Sequence, residues 1–134
     1  MIKEFIQGLS ITAKHLLPGH STTVEYPKHK LEPSERFRGL HHLVVEQDRE
    51  KCVACCLCST VCPAKCITVE AGEDGDGNKY PTVYQIDMLR CIFCGYCVEA
   101  CPVEAIVMTG TYELANYKRE DFCFTKERLL KKSV

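Results

Sequence analysis

Apolar side chains recur at helical spacing from the start of the chain, at Ile2, Phe5, Ile6, Leu9, Ala13, Leu16 and Leu17, until Pro18 and Gly19 break the pattern. This predicts an amphipathic helix over residues 1–17. Its apolar face either packs on the chain's own core or lies on a membrane surface or a partner subunit, and its place well upstream of the other patterned segments favours the second. Residues 18–42 lose the periodicity and contain three prolines, which predicts an extended segment. A free linker is rich in Gly and Ser; Tyr26, Pro27, Phe37, Arg38, Gly39 and Leu40 instead read as a strap that docks on another surface.

Short apolar or alternating runs follow at Leu43–Val45, Ile67–Val69, Thr82–Tyr84 and Ile106–Met108, and these read as strands. The first pair and the second pair each flank a cysteine-rich loop with room for a helix of one to two turns. Between the pairs, residues 71–78 form a turn rich in Gly, Asp and Asn. The turn lacks the spaced ligands and closing Glu of a calcium loop, so it is read as a turn alone. Residues 111–134 are read as a C-terminal docking tail.

Laying Cys52 over Cys91 exposes an internal repeat with a period of 39 residues. Asp48/Asp87, Cys52/Cys91, Cys55/Cys94, Cys58/Cys97, Cys62/Cys101, Pro63/Pro102 and Ile67/Ile106 match identically. Two copies point to a pseudo-twofold domain rather than a solenoid. The fold expected is therefore α+β: one domain over 43–110 with repeats at about 43–70 and 82–110, preceded by the helix and strap and followed by the tail.

Composition narrows the chemistry. Eleven cysteines in 134 residues approach the density of a disulfide scaffold. The odd count, and an N-terminus that alternates polar and apolar residues without a signal-peptide core, argue instead for thiols kept in a reducing cytoplasm as metal ligands. No run approaches the roughly 20 apolar residues that span a bilayer. Charge is uneven: residues 52–110 carry three Lys or Arg against seven Asp or Glu. An acidic core gives no support to nucleic-acid binding.

Cys52-Val53-Ala54-Cys55-Cys56-Leu57-Cys58-Ser59-Thr60-Val61-Cys62-Pro63 is a C-x2-C-x2-C-x3-C-P run, and Cys91 to Pro102 is a second. Both fit the bacterial ferredoxin pattern for [4Fe-4S] clusters. Three thiolates two residues apart let a tight loop hold three corners of a cubane, while the fourth, beyond the start of a helix, reaches the other cluster. Two clusters are thus expected, one on Cys52, Cys55, Cys58 and Cys101 and one on Cys91, Cys94, Cys97 and Cys62. Zinc would use only half of each run.

Cys56 and Cys66 lie opposite Gly95 and Ala105 in the repeat, so neither is needed as a ligand. Cys123 reads as a small buried hydrophobe. None of the five histidines has a ligand spacing with cysteine, and His41–His42 reads as surface. The absence of a Gly-rich dinucleotide loop excludes direct NADH or flavin binding of the Rossmann kind, so electrons arrive from and leave to other centres.

Flanking segments add a resemblance. Tyr26-Pro27, Arg36-Phe37-Arg38-Gly39, Cys52-Val53-Ala54-Cys55, Arg90 to Gly95, Glu99 to Ile106, and Tyr112-Glu113-Leu114-Ala115 with Arg119-Glu120-Asp121 are similar to the subunit I family of bacterial NADH-quinone oxidoreductase, complex I. The resemblance covers nearly the whole chain and implies the same eight cysteine ligands. It also implies electron transfer late in the path from NADH to quinone, other subunits of the complex as partners, and a peripheral place on the cytoplasmic face of the inner membrane. Cys56, Cys66 and Cys123 depart from the family's usual residues. A ferredoxin-like subunit of a membrane-bound hydrogenase, or a free two-cluster ferredoxin, is the alternative.

Overall fold

A computed structural model of the chain describes residues 2–16, 23–46 and 49–130. In chain order these form α1 (Ile2–Leu16), β1 (His41–Leu43), β2 (Val45–Glu46), β3 (Arg49–Glu50), α2 (Leu57–Val61), β4 (Ile67–Glu73), β5 (Lys79–Asp87), α3 (Tyr96–Glu99), β6 (Ile106–Met108), β7 (Cys123–Thr125) and α4 (Lys126–Leu130). The mixture of short helices and small antiparallel sheets is the α+β fold expected. The chain divides between Glu32 and Pro33 into two units.

In the first unit, α1 follows the helical spacing of the sequence, with Glu4 in its first turn and Lys14 and His15 in its last, matching the helix dipole. No described residue of α1 is buried. Leu17 and the Pro18–Gly19 stop lie outside the described residues, as does His20. No described helix is long and apolar enough to cross a membrane. Among the described residues after α1 the unit has turns but no strand, and Tyr26–Pro27 is a cis peptide.

The second unit is built on two strand pairings that exchange the halves of the repeat. β1 pairs with β6, Leu43 opposite Ile106, and β4 pairs with β5, Ile67 opposite Ile86. Both are antiparallel, so the first strand of each half meets the last strand of the other. Leu43, Ile67, Ile86 and Ile106 are buried together with Tyr84, Met88, Phe124 and Leu129. Along β5, Pro81, Tyr84 and Ile86 point inward while the positions between them are half or fully exposed.

Three local findings depart from the sequence reading. The first strand occupies His41–Leu43 rather than Leu43–Val45, because Val44 already turns away: its N–H donates to the Ala105 carbonyl, and its own carbonyl accepts from Lys51. The second concerns the repeat. Asp87 N–H donates to Cys66 as Val44 N–H does to Ala105, so Val44, not Asp48, stands where Asp87 stands. Cys52 lies eight positions after Val44, against four from Asp87 to Cys91, and the excess accommodates the β2–β3 pair. Asp48 itself lies outside the described residues.

The third concerns the tail. Read only as a docking tail, its described part packs onto the domain and extends its sheet: β7 adds to the free edge of β5, Phe124 opposite Ile86, and Leu129 is only 1% exposed. Lys126 Nζ bridges Glu50 at 2.8 Å and donates to the Pro81 carbonyl at 3.0 Å, tying α4 to β3 and β5. The strap is fixed as tightly at Gly39, where a Cβ would strike the carbonyls of both Thr109 and Thr111. Gly39 N–H donates to Thr109 at 3.0 Å and Leu40 N–H to Thr111 at 2.8 Å.

Candidate metal centres

Each cysteine loop is shaped by left-handed residues at matching positions. Ala54, Cys56 and Lys65 have φ of 49°, 61° and 46°, and their repeat partners Phe93, Gly95 and Glu104 have 53°, 84° and 50°. Left-handed backbone costs an L-residue about 1–2 kcal/mol, so five non-glycine residues in that region mark a conformation imposed by the site. Backbone of this kind turns successive N–H groups into a concavity for anions, as at many iron-sulfur sites.

The hydrogen bonds bear that out. In the second loop, Phe93 N–H donates to Cys91 Sγ at 3.4 Å and Ala105 N–H to Cys101 Sγ at 3.2 Å. Val98 N–H donates to Cys97. Their repeat partners do the same in the first: Ala54 N–H to Cys52, Ser59 N–H to Cys58 and Cys66 N–H to Cys62. α2 and α3 begin directly after the left-handed Cys56 and Gly95, carrying Cys58 and Cys97 on their first turns.

Two cysteine-lined cavities result. One is lined by Cys52, Cys55 and Cys58 from the first loop and Cys101 from the second, closed by Leu43, Val69, Tyr84, Val103 and Ile106. The other is lined by Cys91, Cys94 and Cys97 from the second loop and Cys62 from the first, with His41, Cys66 and Ile67. Among the described residues no three His, Cys, Asp or Glu side chains converge on one point where a single ion would sit; the thiols stand around cavities. All-thiol donors, amide groups aimed at their sulfurs and apolar walls fit a [4Fe-4S] cluster, whose ligands are thiolates.

Burial shapes the protonation of these thiols. It raises Cys52, Cys58 and Cys91 above the ordinary thiol value and pushes Cys97 up to about 12, helped there by Cys91 and Cys58 nearby. Thiolates so placed need a cation against them, which the iron of a cluster would supply. Cys62 goes the other way: burial raises it, but the amide and thiol of Cys66 and the amides of Ala64 and Lys65 outweigh that and lower it.

Residues outside the cysteine runs also reach the cavities. Tyr84, 2% exposed, aims its hydroxyl at Cys58 Sγ at 3.4 Å, and burial raises its pKa. Sequence reasoning placed Tyr84 only on a strand; the inward alternation of β5 was the available signal. Arg38 donates from Nη1 to the Cys94 carbonyl and lies over Gly95, near Glu99 at 3.7 Å.

His41 is a correction. Expected at the surface, it is 3% exposed because it faces inward from β1, its ring 5.8 Å from that of Phe93. Burial lowers its pKa to about 4, so the ring is neutral near pH 7. Cys56 lies on the wall of the first cavity, its thiol directed toward the carbonyls of Ala54 and Val69. Cys123 is half-buried at the sheet edge rather than fully buried, and Gln85 Nε2 donates to its sulfur.

Comparison with known proteins gives a consistent picture. The family model of a 4Fe-4S binding domain matches residues 84–107. NADH-quinone oxidoreductase subunit I 1 of Geobacter sulfurreducens is 65% identical over 132 residues, 98% of this chain and 99% of that protein. NADH-quinone oxidoreductase subunit I 2 of Geobacter metallireducens is 64% identical over 132 residues, 98% of this chain and all of that protein. Among solved structures, a chain of the membrane-bound sulfane sulfur reductase, an archaeal respiratory membrane complex, superposes with a TM-score of 0.57 at 30% identity. The superposition covers 81% of this chain and 55% of that one.

Proposed function

Because the chain belongs to the subunit I family of NADH-quinone oxidoreductases, we propose that it relays electrons toward quinone through two [4Fe-4S] clusters inside that membrane complex. Cys52, Cys55, Cys58 and Cys101 hold one cluster, and Cys91, Cys94, Cys97 and Cys62 the other. The observation that carries this reading is the lining of the two cavities, each with three thiols from one loop and the fourth from the other.

The clusters supply one-electron carriers. The protein's part is to hold them and set their surroundings. Loop amides donate to the thiolates and stabilise their charge without any reorganisation as an electron comes or goes. Leu43, Ile67, Ile86 and Ile106 keep water from the space between the loops. Because the fourth ligand of each cluster comes from the loop that holds the other, the two sites share one framework and sit close together.

Partners are the other subunits of the complex, which deliver and remove the electrons. The chain associates peripherally at the cytoplasmic face of the inner membrane, a reading that the exposed apolar face of α1 supports. A ferredoxin-like subunit of a different respiratory membrane complex is the second reading, drawn from the sulfane sulfur reductase likeness. The higher identity to the subunit I proteins over nearly their full length favours the first.

Redox-titrated EPR of the intact complex tests the ligand sets. Cys62→Ser should abolish or convert the cluster of the Cys91 loop and leave that of the Cys52 loop, and Cys101→Ser should do the reverse. Loss confined to the cluster of the substituted cysteine's own loop would overturn the crossed assignment.

A further inference from the structure

Cys66 is one of three cysteines outside the ligand sets, and its surroundings differ from those of Cys56 and Cys123. It is 5% exposed and lines the second cavity. Its Sγ lies 3.4 Å from Cys62 Sγ, and Cys91 lines the same cavity. Cys62 and Cys91 come from different loops, so Cys66 sits where the two halves deliver ligands to one cluster.

When Cys62 and Cys91 are bound to iron they carry no proton, and of these three sulfurs only Cys66 retains one to donate. The four iron corners are already taken by Cys91, Cys94, Cys97 and Cys62, which leaves Cys66 without iron. We propose that the Cys66 thiol donates a hydrogen bond to the iron-bound thiolate of Cys62 and holds the reduction potential of that cluster above the value its ligands and amides alone would set. This rests on the ligand sets given under Proposed function. Cys66 acts through Cys62 and is a positioning residue.

The repeat supplies an internal control. Ala105 occupies the matching position beside Cys101 and is 1% exposed. Its N–H donates to Cys101 Sγ at 3.2 Å, as the Cys66 N–H donates to Cys62. The backbone contact is therefore common to both sites, and alanine satisfies the fold there. What Cys66 adds is a side-chain donor that the first site lacks at this position. A thiol is a weak donor, but in a buried site of low dielectric the bond counts for more. Donation to a ligand sulfur favours the reduced cluster, which bears the extra negative charge, and so raises the potential.

The test uses the intact complex, with EPR redox titration and pulsed EPR after exchange into deuterated buffer. In Cys66→Ala the midpoint of the cluster of the Cys91 loop should fall and an exchangeable deuteron coupled to it should vanish. Cys66→Ser, which keeps a donor, should recover most of both, while the other cluster stays unmoved. If the alanine variant fails to assemble, Cys66→Val, which fills the space without donating, carries the same comparison. An unchanged midpoint and deuteron coupling in the non-donating variant would overturn the proposal. So would loss of the cluster from both non-donating variants but not from Cys66→Ser, since that pattern marks an assembly role. Absence of a second cluster from the unsubstituted complex would instead remove the two-cluster reading beneath it.

Discussion

At the scale of single residues, the two loops repeat a backbone but not a side-chain set. The left-handed position before each short helix holds Gly95 in one loop and Cys56 in the other. Cys56 bears the strain of an L-residue at a φ of 61°, and its thiol makes only long contacts, 3.5 Å or more. Cys56→Gly is therefore expected to stabilise the domain by up to about 1 kcal/mol and to leave both EPR signals intact, as thermal unfolding and EPR of the variant would show. Tyr84 leads to an opposite expectation. Its hydroxyl donates to Cys58 Sγ at 3.4 Å, so Tyr84→Phe should lower the midpoint of the cluster of the Cys52 loop and cost about 1 kcal/mol of stability. A redox titration that moves the other cluster instead would contradict the geometry. That the cysteines of the two runs gather around two cavities was legible because the runs carry the spacing a rigid cluster would require. His41 was not, because it opens a three-residue strand that carries no periodic signal, and Tyr84 was placed on a strand but not on its inward face, although the burial alternation of the nine-residue β5 runs through it.

At the scale of elements, the outcome follows element length. α1 was legible because fifteen residues sample four turns of apolar recurrence. β7 and α4 were missed because three and five residues are too few to show a period, and the two elements are held by long-range pairing with β5. Leu129, on α4 and 1% exposed, should cost about 2–5 kcal/mol when truncated to alanine, measured as a fall in thermal midpoint of the assembled complex or as faster proteolysis of the C-terminal segment. A docking tail with no part in the core would give almost no change. For α1, Ile2, Phe5, Ile6, Leu9 and Leu16 are all at least 63% exposed, an amphipathic face with no burial among the described residues. Phe5→Glu with Leu9→Glu should weaken retention of the complex on membranes while sparing both cluster signals, read by EPR of pelleted and supernatant fractions. Retention equal to wild type would place the anchoring elsewhere.

At the scale of the whole molecule, the crossed strand pairing and the crossed ligation proposed for the clusters are two expressions of one symmetry. β1 meets β6 and β4 meets β5, so each of these two sheets joins the first half of the repeat to the second. The cavities do the same with sulfur, Cys101 closing the first and Cys62 the second. Neither half supplies by itself both strands of either of these pairings, or all four cysteines of either cavity. The hydrophobic core between them is small, and several of its members, including Cys66 and Cys97, belong to the cavities. Metal binding in such a domain is folding free energy, since the site does not exist in the unfolded chain. Removal of iron by a chelator under reducing conditions should therefore loosen both halves together rather than one loop at a time. Limited proteolysis would then cut β4–β5 and the segment after β6 at matching rates, and hydrogen exchange would rise across β1 and β6 as well as around the depleted loop. Loss confined to the loop that gave up its iron would mean that the apolar contacts alone hold the halves. The five left-handed non-glycine residues argue against that: without thiolates drawn onto a cluster, little in the loops repays the strain of keeping them in place.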